Sequence, residues 1–462
     1  MLTWEKLLCA SRRKDIDGGK KSMNTAIHRT EIERDYDRIL FSAPVRRMAD
    51  KTQVFPMEKN DSVRTRLTHS HEVSNLARSF GVRLAFDHQN EVFGSDIIEL
   101  AVQRNVPSML AAVGLAHDLG NPPFGHRGEQ AIREWFIENK GKLGLNEKED
   151  IDFIEFDGNA QTFRLVTRLQ VLNDKYGLNL TVGTLTALLK YPSVYGSKDK
   201  GGFKKYGVFQ SEAEIVNQVW ENTGLQPGQR HPLAYVMEAC DDIAYSIIDA
   251  EDIVKKRYAS FYDLMDHLES QCPGDEVVER VVDEVRKKNI KHKQDGLSSR
   301  ELNDVSMQFF RVKAISELVE AATDCFVQNV NKMMDGSLAP GFDLLAHSPA
   351  TALCESAQDF DMRHGFRHKD VLKLELQGNN YIRQTMDLLW PAIVKAEKTM
   401  TPFQKYAFGQ ISENYRRVYN DTDKGAYAKC QLLCDAVSGM TESYLIKVHD
   451  ELKSLKTDVS KI

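Results

Sequence analysis

Four short stretches of this 462-residue chain carry residue types that could do chemistry together. His69 stands in R-x-R-L-T-H-S (64–70), and His117 and Asp118 in A-H-D-L-G-N-P-P-F-G-H (116–126). Asp241 stands in E-A-C-D-D-I-A-Y (238–245). Two imidazoles and two carboxylates make a borderline-hard donor set suited to Mn, Fe, Mg or Zn, with coordination positions left for water and a phosphate oxygen. An adjacent His-Asp pair is common by chance. The bland alternative is that these are surface or capping residues that never meet. His71 rivals His69 but points to a different helix face, so one of the two is expected in solvent.

His126 and Glu129 follow the His-Asp pair and share a face at i, i+3. A carboxylate there fixes an imidazole tautomer, as a proton-transfer group beside a metal-bound water requires. Asp241, Tyr245 and Asp249 recur at i, i+4, i+8, a face able to follow a nucleotide from phosphate to sugar. Glu251 and Asp252 are expected in solvent. Arg64, Arg66 and Lys190 offer positive charge for phosphates, while Lys204 and Lys205 read as ordinary surface cations on a flexible loop. Neither a Walker loop nor a dinucleotide fingerprint occurs, so phosphate binding would rest on metal and side chains.

The elements that must position these groups are helical. Segment 107–118 opens on Pro107 and stops before Gly120, Pro122 and Pro123, with His117 and Asp118 at its end. Thr68 is a candidate cap for the helix carrying His69 and Glu72. Segment 232–257 opens on Pro232 and ends in basic residues, and 276–289, 305–334, 381–398 and 427–448 repeat apolar residues at helical spacing. Stretches 140–150, 193–207 and 290–300 read as loops. With period-two alternation scarce, the expectation is an all-α fold with at most a small hairpin. Its coarse division is a catalytic helical core over 1–260 and a helical C-terminal region over 261–462.

Hydrophobic content of 42% and charged content of 28% suit a globular chain with a sizeable core. A net charge of −6 argues against a general nucleic-acid coat, though not against a local basic pocket. The apolar run 109–116 is far short of the ~20 residues that span a bilayer, and the N-terminus is a poor secretory signal. Seven scattered cysteines without C-x-x-C point to reduced thiols and a cytoplasmic protein. Cys430 and Cys434, one turn apart, read as core thiols rather than a metal clip.

At the quoted residues the chain resembles the deoxyguanosinetriphosphate triphosphohydrolases of the HD-domain superfamily. The likeness rests on R-x-R-L-T-H-S, H-D-L-G-N-P-P-F-G-H-x-G-E, F-x-G-N-A-Q (156–161) and E-A-x-D-D-I-A-Y-S-I-I-D-A-E-D. It continues into K-T-Q-V-F-P (51–56), L-E-L-Q-G (374–378) and V-S-G-M-T (437–441), nearly the whole chain. The resemblance implies an HD-type helical core and cleavage of a deoxynucleoside triphosphate, dGTP by preference, to deoxynucleoside and inorganic triphosphate. It implies His69, His117, Asp118 and Asp241 as ligands of Mn2+ or Mg2+, with Fe2+ also fitting, and His126 and Glu129 as the catalytic pair. Asn159, Lys190 and Arg66 would face the phosphates, Tyr245 and Asp249 the sugar, with Asp249 on the 3′-hydroxyl, and Gln53 the sugar or base. Glu375 and Arg416 would contact the base or a neighbouring subunit. The family also implies a homo-oligomer, a ring-like hexamer, and nucleotide or single-stranded DNA effectors. Two positions depart from its usual pattern: Arg127 stands where a bulky apolar residue is common, and Cys240 where Ala is usual. The rival enzyme reading is an HD phosphohydrolase of other specificity: a broad dNTPase, a nucleotidase or a phosphodiesterase. A non-catalytic nucleotide or nucleic-acid sensor is the remaining reading, against which stands the full set of ligand and catalytic residues.

Overall fold

The computed structural model describes residues 2–18, 28–58, 60, 62–94, 97–170, 174–197 and 200–459. Lys198 and Asp199, within the expected 193–207 loop, lie outside the described residues. The fold is all-α, and among the described residues the only β pairing is three isolated bridges, Arg12 with Thr181, Thr52 with Thr65 and Val194 with Val208.

The helices that build the site are, in chain order, α1 (Glu31–Leu40), α2 (Arg66–Phe86), α3 (Val102–Ala116), α4 (Gly125–Glu138) and α5 (Gly158–Arg164). After them come α6 (Val182–Ala187), α7 (Pro232–Ile243), α8 (Asp249–Lys255), α9 (Ser299–Asp335) and α10 (Thr351–Asp361). The chain closes with α11 (Lys369–Val394), α12 (Ala426–Ser438) and α13 (Glu442–Val459). The core centres on α3, whose Val, Met, Leu and Ala residues from Val102 to Ala116 are almost all buried. A helix apolar on every side must be covered on every side; α1, α2, α6 and α7 pack around it. The α2–α3 crossing is close because Gly114 meets the α2 backbone at Ser74, where a Cβ would come within 2.9 Å of Ser74 Cα.

The helix expected to start at Pro107 starts five residues earlier, at Val102, and Pro107 sits inside it. The lost N–H is tolerated in a buried setting where α2 offers only Gly81 against the ring, leaving room for the backbones to close up. The α2 cap is Thr65; Thr68 lies in the first turn, and its hydroxyl accepts from the Thr65 N–H at 3.0 Å. The 427–448 segment is two helices, α12 and α13, broken at Gly439.

Buried ion pairs tie the distant parts together. Arg164, at the end of α5, donates to Asp435 on α12 at 2.7 Å and to Glu212 at 2.8 Å, and all three are almost wholly buried. Burial works against its charge, but the two carboxylates outweigh that and raise its pKa. Arg164→Met should cost about 3–5 kcal/mol, because it leaves buried Asp435 without its cation and Glu212 with Arg168 alone; equal denaturation midpoints for variant and wild type would refute it.

Candidate metal centre and cleft

Three helices bring His69, His117 and Asp241 to one point, with one ligand atom from each lying within 4.8 Å of the others. Oδ1 of Asp241 is 3.2 Å from Nε2 of His69 and 3.3 Å from Nε2 of His117. The Nδ1–H of His117 donates to the Gly114 carbonyl at 2.7 Å, which fixes its tautomer and turns the Nε2 lone pair toward the carboxylate. Without a proton on Nε2 or a cation between them, two acceptors would face each other, and Nε2 of His117 has no hydrogen-bond partner. Burial lowers the His117 pKa, but Asp118 and Asp241 outweigh it and push it up to about 9. Asp241 is held well below the usual carboxylate range because His117, His69 and Lys190 overcome burial. Its neighbour Asp242 is pushed well above, chiefly by burial, so the two adjacent carboxyls are driven in opposite directions. A half-buried negative oxygen flanked by two imidazole nitrogens has the composition and spacing of a divalent-cation site.

Asp118 lies beside this trio with its carboxylate turned aside. It accepts from the Arg66 guanidinium and from Nδ2 of Asn121 at 2.6 Å, with its other contact to His117 at 3.6 Å. His71 is exposed and His69 buried, which resolves the rivalry between them.

Above the trio opens a cleft of about 730 Å³, within the range of small-molecule sites. His126, Glu129, Gln53, Arg66, Asn159, Lys190, Tyr245 and Glu375 all line it. His126 is 75% exposed and its Nδ1 lies 3.2 Å from Oε2 of Glu129, which is itself buried and accepts from the Gly158 N–H at 2.7 Å. The carboxylate is thus fixed and the imidazole free to reach a ligand. Arg127 bridges the mouth to Glu375 at 3.0 Å. Lys190 is raised by Glu238, Asp242 and Asp241 in spite of burial, so it stays a cation beside the trio.

Asp249 and Arg416 do not line the cavity. A π-turn at Ala244–Ile248 separates α7 from α8. Its extra residue per turn rotates Asp249 off the Asp241–Tyr245 stripe. Asp249 is wholly buried, both carboxylate oxygens lack a hydrogen-bond partner, and burial pushes it well above its usual pKa. Arg416 is half-buried with its guanidinium over Phe408. Glu251 and Asp252, expected in solvent, are buried: Arg64 pairs with both and with Glu72, and so is not available as a phosphate cation. Lys205 is no ordinary surface cation; it lines the cleft and pairs with buried Asp157 at 2.6 Å. Sequence reasoning also missed Phe366, which stacks on Tyr245 at 5.4 Å between two facing π-turns. A single aromatic in a helical segment gives no signal of such a partner.

Lys51, Thr52 and Glu442 form the support under the turn that precedes His126. Buried Lys51 donates from Nζ to the carbonyls of Asn121 at 2.5 Å and Ser438 at 2.9 Å. Glu442, the first residue of α13, accepts from the N–H and hydroxyl of Thr52, both at 2.6 Å, and from the N–H groups of Phe124 at 3.1 Å and Met57 at 3.2 Å. Phe124 and Gly125 have φ of 63° and 53°. For Phe this left-handed conformation costs on the order of 1–2 kcal/mol, so the surroundings must hold it. Gly125 has a second reason to lack a side chain: the Arg66 guanidinium lies where its Cβ would be.

No protein-family model matches the chain. Among curated proteins, a deoxyguanosinetriphosphate triphosphohydrolase-like protein of Listeria monocytogenes is 34% identical over 98% of this chain and 100% of its own length. A probable deoxyguanosinetriphosphate triphosphohydrolase of Pseudomonas aeruginosa is 33% identical over 92% of each chain. A deoxyguanosinetriphosphate triphosphohydrolase of Yersinia pestis is 30% identical over 92% of this chain and 93% of its own.

The support also titrates. Burial, with Arg66 and Arg47 nearby, lowers Lys51 from 10.5 to about 7, against the opposing pull of Glu442 and Asp118. Between pH 7 and 10.5 the unfolded chain therefore holds a proton that the folded chain has shed. This group's contribution to stability accordingly rises with pH across that window. Thermal unfolding at pH 7 and pH 9 should show Lys51→Met losing part of the wild-type increment, and parallel profiles for the two proteins would contradict the assignment.

Proposed function

The chain belongs to the deoxyguanosinetriphosphate triphosphohydrolase family, and from that premise we propose that it is a metal-dependent hydrolase of deoxynucleoside triphosphates, with dGTP preferred, releasing deoxynucleoside and inorganic triphosphate. The observation that carries this reading is the convergence of His69, His117 and Asp241 on the floor of a cleft whose wall bears Arg66, Lys190 and Lys205. His69, His117 and Asp241, with Asp118 alongside, would hold Mn2+ or Mg2+, which supplies Lewis acidity at phosphorus and a more acidic bound water.

The chain's own groups do the rest. Arg66, Lys190 and Asn159 receive the phosphate oxygens, and Arg66 suits them best because its guanidinium can bond two at once. Arg66 now rests on Asp118, so an incoming phosphate exchanges one anionic partner for another. Glu129 orients His126 through Nδ1, which leaves Nε2 to exchange a proton with the nucleophile or with the departing 5′-oxygen. The Tyr245–Phe366 stack forms the wall for sugar and base, with Gln53 on the same cavity surface. The π-turn argues for Tyr245, rather than Asp249, as the direct sugar contact in this conformation.

Chromatography of dGTP reaction products with Mn2+ is the primary test. Deoxyguanosine and triphosphate in equal amounts support the proposal; phosphate or pyrophosphate would replace it with the nucleotidase or phosphodiesterase reading. His126→Ala should lower kcat by roughly 10²–10⁴-fold while folding and bound metal are kept; near-wild-type turnover removes His126 from the chemistry. Elemental analysis should find Asp241→Asn depleted of metal and Asp242→Asn loaded as wild type, and the reverse pattern would move the ligand to Asp242.

A further inference from the structure

The turn Asn121–Gly125 joins the His117-Asp118 pair to His126, and both of its ends are held by residues remote in sequence. The Asn121 carbonyl is held by Lys51 and the Phe124 N–H by Glu442. Within the turn the Gly125 N–H donates to the Pro122 carbonyl at 3.2 Å, but one such bond leaves two successive left-handed residues, one of them Phe, to be held from outside. The Phe124 ring packs against Gly378 of α11, which sets its side chain but not its backbone. The Glu442 carboxylate is 3% exposed and meets four donors, close to the full acceptor capacity of its two oxygens. None of those donors is a side-chain cation. The carboxylate therefore acts as a template for backbone N–H groups of the 52–57 and 121–125 segments, in the manner of a charge-assisted cap. Arg66, held by Asp118, lies over Gly125, and His126, next in sequence, takes its position from this turn.

We infer that Glu442, assisted by Lys51, is a positioning residue of the active site: it holds Phe124 and Gly125 in the left-handed turn that aims His126 into the cleft. The inference rests on the reading of His126 as the proton-transfer group. It gives the last helix of the chain a part in the reaction without any contact to substrate. A misplacement of His126 by a fraction of an ångström lowers the rate of the chemical step while leaving ground-state binding nearly unchanged.

The test is a double-mutant cycle between Glu442→Gln and His126→Ala, with kcat and KM for dGTP, bound manganese and thermal midpoint measured for each protein. Gln keeps the shape but sets an N–H2 group against donors. Glu442→Gln alone should lower kcat on the order of 10- to 100-fold, with KM changed less than about 3-fold and manganese retained. In the His126→Ala background the same substitution should change kcat by less than about 3-fold, because the group it positions is gone. Equal losses in both backgrounds, or no loss in either, overturn the inference. A silent His126→Ala instead overturns the proton-transfer reading itself, and with it this role for Glu442. Should Glu442→Gln not fold, Thr52→Val removes one donor to the same carboxylate and enters the same cycle: a kcat loss confined to the His126 background supports the inference, and equal or absent losses overturn it.

Discussion

The crossing of α2 and α3 at Gly114 is the constraint from which the candidate metal centre follows. Any side chain at that position would strike the α2 backbone at Ser74 and drive the helices apart. His69 lies five residues before Ser74 on α2, and His117 caps α3 three residues after Gly114, so the separation of the backbones at this contact sets the distance between the imidazoles. Their ring centroids stand 5.6 Å apart. The same Gly114 presents the carbonyl that binds Nδ1 of His117, so one residue governs both how near the two ligands come and which nitrogen faces inward. The third helix, α7, packs on both partners and brings Asp241 to the gap.

Around this floor the chain treats charge in two ways. Away from the cleft, two largely buried clusters pair their ions: Arg64 with Glu72, Glu251 and Asp252, and Arg164 with Asp435 and Glu212. Such clusters compensate the desolvation of each member and act as rivets between elements. Within the cleft the pairing is incomplete or exchangeable. Arg66 rests on Asp118 with its Nε unsatisfied, and Arg127 rests on Glu375 at the mouth. Unsatisfied donors beside a cavity favour an anionic ligand, since the ligand supplies the acceptors that the fold withholds. A polyphosphate is such a ligand.

How much of this was legible depended on the range of the interaction responsible. The helices were legible, since apolar periodicity is local, and so were the residues that converge on them, His69, His117 and Asp241, because a carboxylate among Ala and Ile or an imidazole at a helix end is anomalous where it stands. Errors arose where a distant partner decided the outcome. Glu251 and Asp252 look like solvated acids until Arg64, nearly 190 residues away, is folded against them. Pro107 looks like a helix start until Gly81 of another helix makes space for its ring. The Asp241–Tyr245–Asp249 stripe assumed a uniform pitch, and a π-turn leaves no trace in hydrophobic spacing. Glu442 follows V-S-G-M-T, a stretch that stands out only for its family likeness; nothing in its composition says that its carboxylate would reach Phe124.

The two halves of the site therefore differ in rigidity for a physical reason. The floor is built from atoms on long helices at a close crossing, where a small displacement would break core packing that is already tight. The walls come from turns and from helix segments that depart from regular pitch: the Phe124–Gly125 turn, the loop bearing Lys205, and the two π-turns that face Tyr245 with Phe366. The candidate metal ligands thus sit on the first kind of element and most of the cleft wall on the second. His126 is the exception, standing at the junction of a left-handed turn and a helix, where Glu442 of the distant α13 accepts from the Phe124 N–H and supplies a contact that local sequence does not.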